Sequence, residues 1–380
     1  MTQTPDTDCV LLLNAGSTSL KLAAWSVAGE QQWAQHLEGS AMSLAVLLQR
    51  ALTTLQRPPV AVLQRIVHIG AVAETPLPLD AATRARIAHW APLAPLHNPL
   101  ALALADAVQA SWPAVPLWAV FDSGLYADLP AVAARYALPD SLSPRWPIRR
   151  YGFHGLAHRS QWRQVQPADG SPGPRRLITL QLGGGCSLTA WKDDRVVDTS
   201  MGFTPLEGLV MATRSGTLDP GLLLHLLQQE GMSVAALQDM LLHGSGLAAM
   251  APGAGDMRVL LADAGAQAQQ ALAHYAWQIR KAIGAAVAVL GGLDAVCIGG
   301  GVGEHQSAVR ARILEDMSAF GIALDAQRNA AAQGRCALEV PGSAVSLTLT
   351  PVNEMAEMFR QFAAMRGFAP PMTSQETSHA

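Results

Sequence analysis

Lysine is almost missing from this sequence. Three residues, Lys21, Lys192 and Lys281, stand against 23 arginines, and the 29 acidic residues outnumber the 26 basic ones. A net charge of -3 excludes a general binder of nucleic acid or of anionic membrane surfaces. Cysteine is scarce as well. Cys9, Cys186, Cys297 and Cys336 form no CxxC pair and no zinc spacing, and three of them sit in apolar runs where a buried thiol is expected. No apolar run reaches the ~18 residues that a membrane-crossing helix needs. The longest, Ala282 to Leu293, is cut by Asp294. The first residues, Met-Thr-Gln-Thr-Pro-Asp-Thr-Asp, lack the basic start of a secretory leader, so a cytoplasmic protein is expected. Charged residues make up only 14% of the chain and apolar ones 50%, which excludes disorder over most of its length. With 380 residues there is material for two domains with their own cores.

What is present begins with a pattern that occurs twice. Cys9-Val-Leu-Leu-Leu13 reads as a strand, Asn14-Ala-Gly-Ser-Thr-Ser19 as a turn rich in small residues and hydroxyls, and Leu20 to Trp25 as the returning strand. Leu177 to Leu182, Gly183-Gly-Gly-Cys-Ser187 and Leu188-Thr-Ala-Trp191 repeat the plan. Aligning Ser19 with Ser187 superposes strand, turn, strand and a terminal Trp, so a duplication about 168 residues apart is expected. Ser141-Leu-Ser-Pro-Arg-Trp-Pro147 reads as the connection between the halves. Ala101 to Ser111 and Ala264 to Val289 carry helical patterns. A strand, the glycine loop Gly299 to Gly303 and a helix over Glu304 to Arg310 follow, and the last residues after Pro371 read as a polar tail. Strands alternating with helices place the chain in the α/β class.

Three turn segments therefore follow apolar strands: Asn14 to Ser19, Gly183 to Ser187 and Gly299 to Gly303. None fits GxxxxGK[ST] or a GxGxxG that opens a helix, yet backbone N–H groups in such turns form nests for phosphate. Arg65, His97, Asp122, His154 and Arg214 are charged or imidazole groups in apolar or glycine-rich surroundings. Each alone is more often a satisfied structural residue than a ligand. Asp256 can be the cap of a helix, and Glu354 can either bind a metal or merely open one. No HExxH, EF-hand, GxSxG or kinase-type HRD set occurs. From the residues alone, the reading ends at a two-domain phosphate binder.

At these residues the chain resembles the acetate kinase family, of the actin/Hsp70/sugar-kinase superfamily. The matching stretches are Asn14 to Lys21, Leu93 to Pro99, Arg150 to Gly155, Asp198 to Gly208 and Gly300 to Glu304, in family order across nearly the whole chain. The resemblance implies two duplicated RNase H-like domains flanking a central cleft. It places an N-terminal domain at 1–148, rejoined by a C-terminal helix near 353–372, a nucleotide-binding domain at 149–352, and a frayed tail at 373–380. It also implies a homodimer with no nucleic-acid or membrane partner. The activity implied is reversible Mg²⁺-dependent transfer of a phosphoryl group from ATP to acetate, in line, giving acetyl phosphate and ADP. Propionate is tolerated and Mn²⁺ able to substitute.

Carried over residue by residue, the resemblance implies that Asn14 and Glu354 position the metal, and that Arg65 and Arg214 hold the acyl carboxylate and the phosphoryl group. His154 donates to the phosphoryl oxygens, with His97 nearby, and Asp122 is the active-site carboxylate. Val67, Leu96, Phe153 and Pro205 form the acyl pocket. Lys21, Gln181, Leu182, Gly183, Gly184, Gly185, Asp256, Met257, Arg258, Gly301, Val302, Gly303, Glu304 and His305 hold the nucleotide. The family's His-Leu-Gly-Asn-Gly reads Gln181-Leu-Gly-Gly-Gly185 here, and His305 stands for an asparagine. Two rival readings follow: a kinase that uses pyrophosphate or a longer acid, and a non-catalytic nucleotide clamp.

Overall fold

The computed structural model describes residues 8–16, 19–39, 41–55, 57–70, 74–142, 147–253 and 255–371. It divides into two compact units, one running to Ala127 and taken up again from Asn353, the other from Asp128 to Val352. Residues 128–148, placed with the first half by the sequence reading, fall in the second unit. A bridge between Arg135 and Arg149 and a bond from Arg150 N–H to the Ala134 carbonyl at 2.7 Å tie them there. The connection at 141–147 and the tail at 373–380 lie largely or wholly outside the described residues.

In the first unit β1 (Cys9–Ala15), β2 (Ser19–Ser26), β3 (Gln31–Glu38), β4 (Ala61–Ile66), β5 (Leu77–Pro78) and β6 (Leu117–Phe121) form one sheet, in the order β3-β2-β1-β4-β6-β5. β1, β4 and β6 are parallel, and the other pairings are antiparallel. Because β1 is covered on both faces, residues 9–13 read as an unbroken apolar run and every residue of the strand, Asn14 included, is buried. One cluster of leucines, valines and alanines from these strands and from the helices Ala41–Thr53 and Asn98–Ser111 fills one face. The helix Glu354–Arg366 packs against the sheet, stacking Phe359 on Trp25 at 5.4 Å between ring centroids.

The second unit repeats this plan. β7 (Arg176–Leu182), β8 (Cys186–Lys192), β9 (Arg195–Thr199), β10 (Ala295–Gly299), β11 (Cys336–Ala337) and β12 (Ser346–Leu349) run β9-β8-β7-β10-β12-β11. Parallel and antiparallel pairings fall at the same places. The duplication extends to a register shift before the buried tryptophan of each second strand, between Ala24 and Trp25 and between Ala190 and Trp191. The registers correct the alignment of Ser19 with Ser187. Ala15 faces Leu20 and Leu182 faces Cys186, so the second turn is one residue shorter and Asn14 corresponds to Gln181, Lys21 to Ser187.

The expected helices form at Asn98–Ser111 and Ala266–Leu290, the latter closed by left-handed Gly291. The glycine loop does not form as a loop. Gly300–His305 is helical from the end of β10 onward, and a separate helix runs Ser307–Leu314. Glycine disfavours helix, but here both ends are held by side chains. Glu304 accepts the Gly300 N–H at 3.0 Å, and buried Arg310 donates to the carbonyls of Gly303 at 2.8 Å and Glu304 at 3.0 Å. Gly300 itself, at φ +80°, makes the turn out of the strand that a side chain would resist.

Candidate functional site

Parallel strands bring their carboxyl ends to one edge of a sheet, and in the first unit that edge carries the polar groups. Asn14 lies near the end of β1, Arg65 in β4, Asp122 immediately after β6, and Glu354 at the first position of the last helix. They form one connected set. Arg65 donates to Asp122 Oδ2 at 2.7 Å and to Asn14 Oδ1 at 3.1 Å, and Asn14 Nδ2 donates to Glu354 Oε2 at 2.6 Å. The Asp122 side chain is 1% exposed and that of Arg65 11%, so this ion pair is nearly dry. Burial pulls the Arg65 pKa down, but the carboxylates of Asp122 and Glu354 outweigh it and raise the guanidinium above its ordinary value. Asp122 thus orients an arginine. Val67, just beyond β4, is buried, while Leu96 and His97 are half-buried ahead of Asn98–Ser111. His97 occupies that helix's cap position without making a side-chain cap bond. Lys21 is exposed, opposite Asn14 on β2.

In the second unit the hairpin turn between β7 and β8 meets His154 and Arg214. His154 sits in the left-handed region, at φ 59°, capping the helix Gly155–Gln164. A methyl group on Gly185 would come within 2.9 Å of His154 Nε2 and 3.1 Å of an Arg214 terminal nitrogen, so glycine is what lets both side chains close over the turn. The Ala212 N–H donates to the Gly184 carbonyl at 3.1 Å, fastening the Arg214 segment to the same turn. Arg214 donates to the Pro205 carbonyl at 3.0 Å and makes no ion pair with any carboxylate among the described residues. Burial pulls its pKa down to about 10. A desolvated cation without an anion beside it is electrostatically unfinished, in contrast to Arg65.

The remaining expected residues surround this turn or stand apart from it. The Gln181 amide nitrogen would lie 2.8 Å from a Cβ on Gly300 and 3.8 Å from one on Gly183, so it lines both glycine segments. Leu182 is buried, and Gly184 and Gly301 open onto free space. Gly303 is buried, Val302 half-buried and His305 exposed. Glu304 gives one carboxylate oxygen to the N–H groups of Gly300 and Val352, both at 3.0 Å, and so holds the start of the Gly300–His305 helix rather than leaving that oxygen open. Asp256 caps Met257–Ala262 and pairs with exposed Arg258 at 2.6 Å, while Met257 is buried. Phe153 is buried and Pro205 half-buried.

The sequence reading missed the residues behind the site. Glu207 pairs with Arg150 at 2.7 Å and accepts from the Tyr136 hydroxyl, which in turn accepts the Phe203 N–H at 2.8 Å. This brace shapes the Asp198 to Gly208 segment. Behind His154 stand Ser187, His158, Thr179 and Trp191, hydrogen-bonded in series. The signal for one of them was available: His158 is four residues beyond His154, the spacing that puts two side chains on one helix face.

Known proteins resemble this chain in sequence and in fold. The profile of the acetokinase family matches residues 24–359. An acetate kinase of Clavibacter michiganensis subsp. michiganensis is 40% identical over 354 residues, covering 92% of this chain and 89% of that protein. The crystal structure of Porphyromonas gingivalis acetate kinase superposes with a TM-score of 0.80 at 28% identity, over 95% of this chain and all of that one. A propionate kinase from Francisella tularensis superposes with a TM-score of 0.82 at 28% identity, over 93% and 99% of the two chains.

Proposed function

Because the chain belongs to the acetokinase family, we propose that it transfers the γ-phosphoryl group of ATP reversibly to acetate, giving acetyl phosphate and ADP, with propionate also accepted. The observation that carries this reading is Arg214, a desolvated guanidinium lacking a carboxylate, set with His154 against a glycine turn. Such a place is suited to an anion that arrives with the substrate.

The chemistry asks little of a base. A carboxylic acid of ordinary pKa, about 4, is already ionised at neutral pH. One of its oxygens forms the new bond to phosphorus while the bond to the ADP oxygen breaks, and no proton need move. What lowers the barrier is alignment and neutralisation of charge on a loose transition state. In this reading Arg65, oriented by Asp122 and Asn14, holds the acyl carboxylate. Arg214 and the His154 ring bind the transferring phosphoryl oxygens, and His97 is assigned to the same chemistry. Val67, Leu96, Phe153 and Pro205 receive the acyl chain. One methylene changes binding in such a pocket by about 1–3 kcal/mol, which is why propionate is admitted. Lys21, Gln181 to Gly185, Asp256 to Arg258 and Gly301 to His305 serve the nucleotide.

The donor set also suits magnesium. No group of three or more His, Cys, Asp or Glu able to hold a metal occurs among the described residues, whereas Mg²⁺ needs only one or two protein oxygens beside water and phosphate. Asn14 and Glu354 would hold it, and when bound it neutralises charge on the nucleotide phosphates. The four free cysteines fit a reducing cytoplasm. The helix Pro220–Gln228 buries none of its residues although five of the nine are leucines, which supports a homodimer that covers it.

Acyl phosphate trapped with hydroxylamine tests the proposal, with Mg-ATP or pyrophosphate as donor and acetate, propionate or butyrate as acceptor. Turnover with ATP and acetate is expected. Turnover with pyrophosphate alone would move the donor assignment, and nucleotide binding with no turnover would leave only a clamp. Replacing Gly185 with alanine should lower turnover at least about tenfold without lowering the melting temperature, because small displacements of positioned groups are costly to rate. Normal turnover in that variant would show that the turn does not set His154 and Arg214.

A further inference from the structure

The chain of hydrogen bonds behind His154 has a direction. His154 Nδ1 lies 2.8 Å from Ser187 Oγ, and His158 Nε2 lies 2.8 Å from the same oxygen. His158 Nδ1 is 2.7 Å from Thr179 Oγ1, which accepts the Trp191 indole N–H at 3.0 Å. Ser187, His158 and Thr179 are fully buried and Trp191 nearly so. No solvent enters to reverse the series.

An indole N–H only donates, so Thr179 Oγ1 accepts there and must place its own proton elsewhere. It has two acceptors within reach, His158 Nδ1 at 2.7 Å and the Thr189 carbonyl at 3.4 Å, and the shorter, stronger bond decides. His158 Nδ1 is then unprotonated. Burial, with His154 alongside, holds the His158 pKa well below the usual imidazole range, so its ring is neutral and carries its single proton on Nε2. That proton goes to Ser187 Oγ, whose own O–H is left to donate to His154 Nδ1. The remaining His154 proton stays on Nε2, the nitrogen beside Gly185.

We infer that Ser187 and His158, with Thr179 and Trp191 behind them, are positioning residues that fix His154 as its Nε2–H tautomer, a ready donor to the phosphoryl oxygens. The catalytic part of this inference rests on the function proposed above; the tautomer does not. A serine hydroxyl between two imidazoles transmits orientation because it donates to one and accepts from the other.

Nitrogen-15 NMR of the full-length protein labelled at histidine tests the tautomer directly, with the His154 signals assigned by their loss in His154→Gln. A proton on Nε2 and a bare Nδ1 are expected in the wild type without substrate. A proton on Nδ1, or rapid exchange between the two forms, would overturn the inference whether or not the Ser187 variants fold. Ser187→Ala should then lower kcat by about 10–100-fold, the size of loss seen when the partner that orients a metal-bound histidine is removed, with KM for both substrates unchanged. Ser187→Thr, which restores the hydroxyl, should recover kcat. An alanine variant with wild-type kcat, or a defect confined to KM, would contradict the relay. An Nε2–H tautomer in a wild type that makes no acyl phosphate would uphold the relay and remove the proposed function.

Discussion

Replacing Arg214 with alanine is expected to cut turnover by about 10²–10³-fold while leaving the binding of Mg-ATP largely intact. The ground for this is the contrast between the two arginines. Arg65 has its charge answered by Asp122 and by the polar end of Asn14. Among the described residues Arg214 is anchored by a single carbonyl, that of Pro205, and burial has already brought its pKa down to about 10. It stays charged at neutral pH, and its full interaction forms only when an anion sits against it. An interaction that strengthens with charge developing on the phosphoryl group lowers the barrier more than it tightens the ground state. Lysine at this position should restore little, because a point charge lacks the planar fork. Steady-state kinetics with a separate nucleotide titration decide the matter: unchanged turnover would take Arg214 out of the mechanism, and an equal loss of nucleotide affinity would make it a binding residue only.

Arg65→Ala should fail for a different reason, by destabilising the first unit as well as abolishing activity. The variant leaves the Asp122 carboxylate, 1% exposed, without the guanidinium beside it. Breaking one side of a buried pair typically costs about 3–5 kcal/mol, since desolvation of the remaining charge goes uncompensated. The double variant Arg65→Met with Asp122→Leu removes both charges and should regain most of that stability without regaining turnover. Denaturant unfolding of the wild type and these two variants separates the two effects. A stable Arg65→Ala protein would mean that Asp122 does not depend on its ion pair, and an active double variant would mean that neither group takes part in the reaction.

Much of the fold was legible because it rests on local signals. The repeated hairpins are written as apolar runs closed by small residues, and the buried tryptophans at Trp25 and Trp191 mark equivalent points in both sheets. The exact register was not, because the turns differ by one residue and alternating side chains alone do not reveal which turn is shorter. The helix at Gly300–His305 was read as a loop because its residues disfavour helix; what overrides them is Glu304 at one end and Arg310 at the other, a tertiary effect. At the candidate site the charged residues stood out singly, since Arg65 or Asp122 in an apolar strand is costly unless answered. Their pairing with each other could not be read, because it arises from β4 and β6 lying side by side. Ser187 stood out only as part of a small-residue turn and Thr179 not at all: hydroxyls on strands are common, and only the fold stacks them behind a histidine.

In the proposed mechanism phosphorus passes in one in-line step to a carboxylate that needs no base, with no side chain accepting it on the way. The stereochemistry at phosphorus tests that most directly. With ATP made chiral at the γ-phosphoryl group by oxygen isotopes, a single displacement predicts acetyl phosphate of inverted configuration. Retention would show two displacements and a phosphorylated enzyme between them, and the roles assigned to Arg214 and His154 would have to be rebuilt around a protein nucleophile.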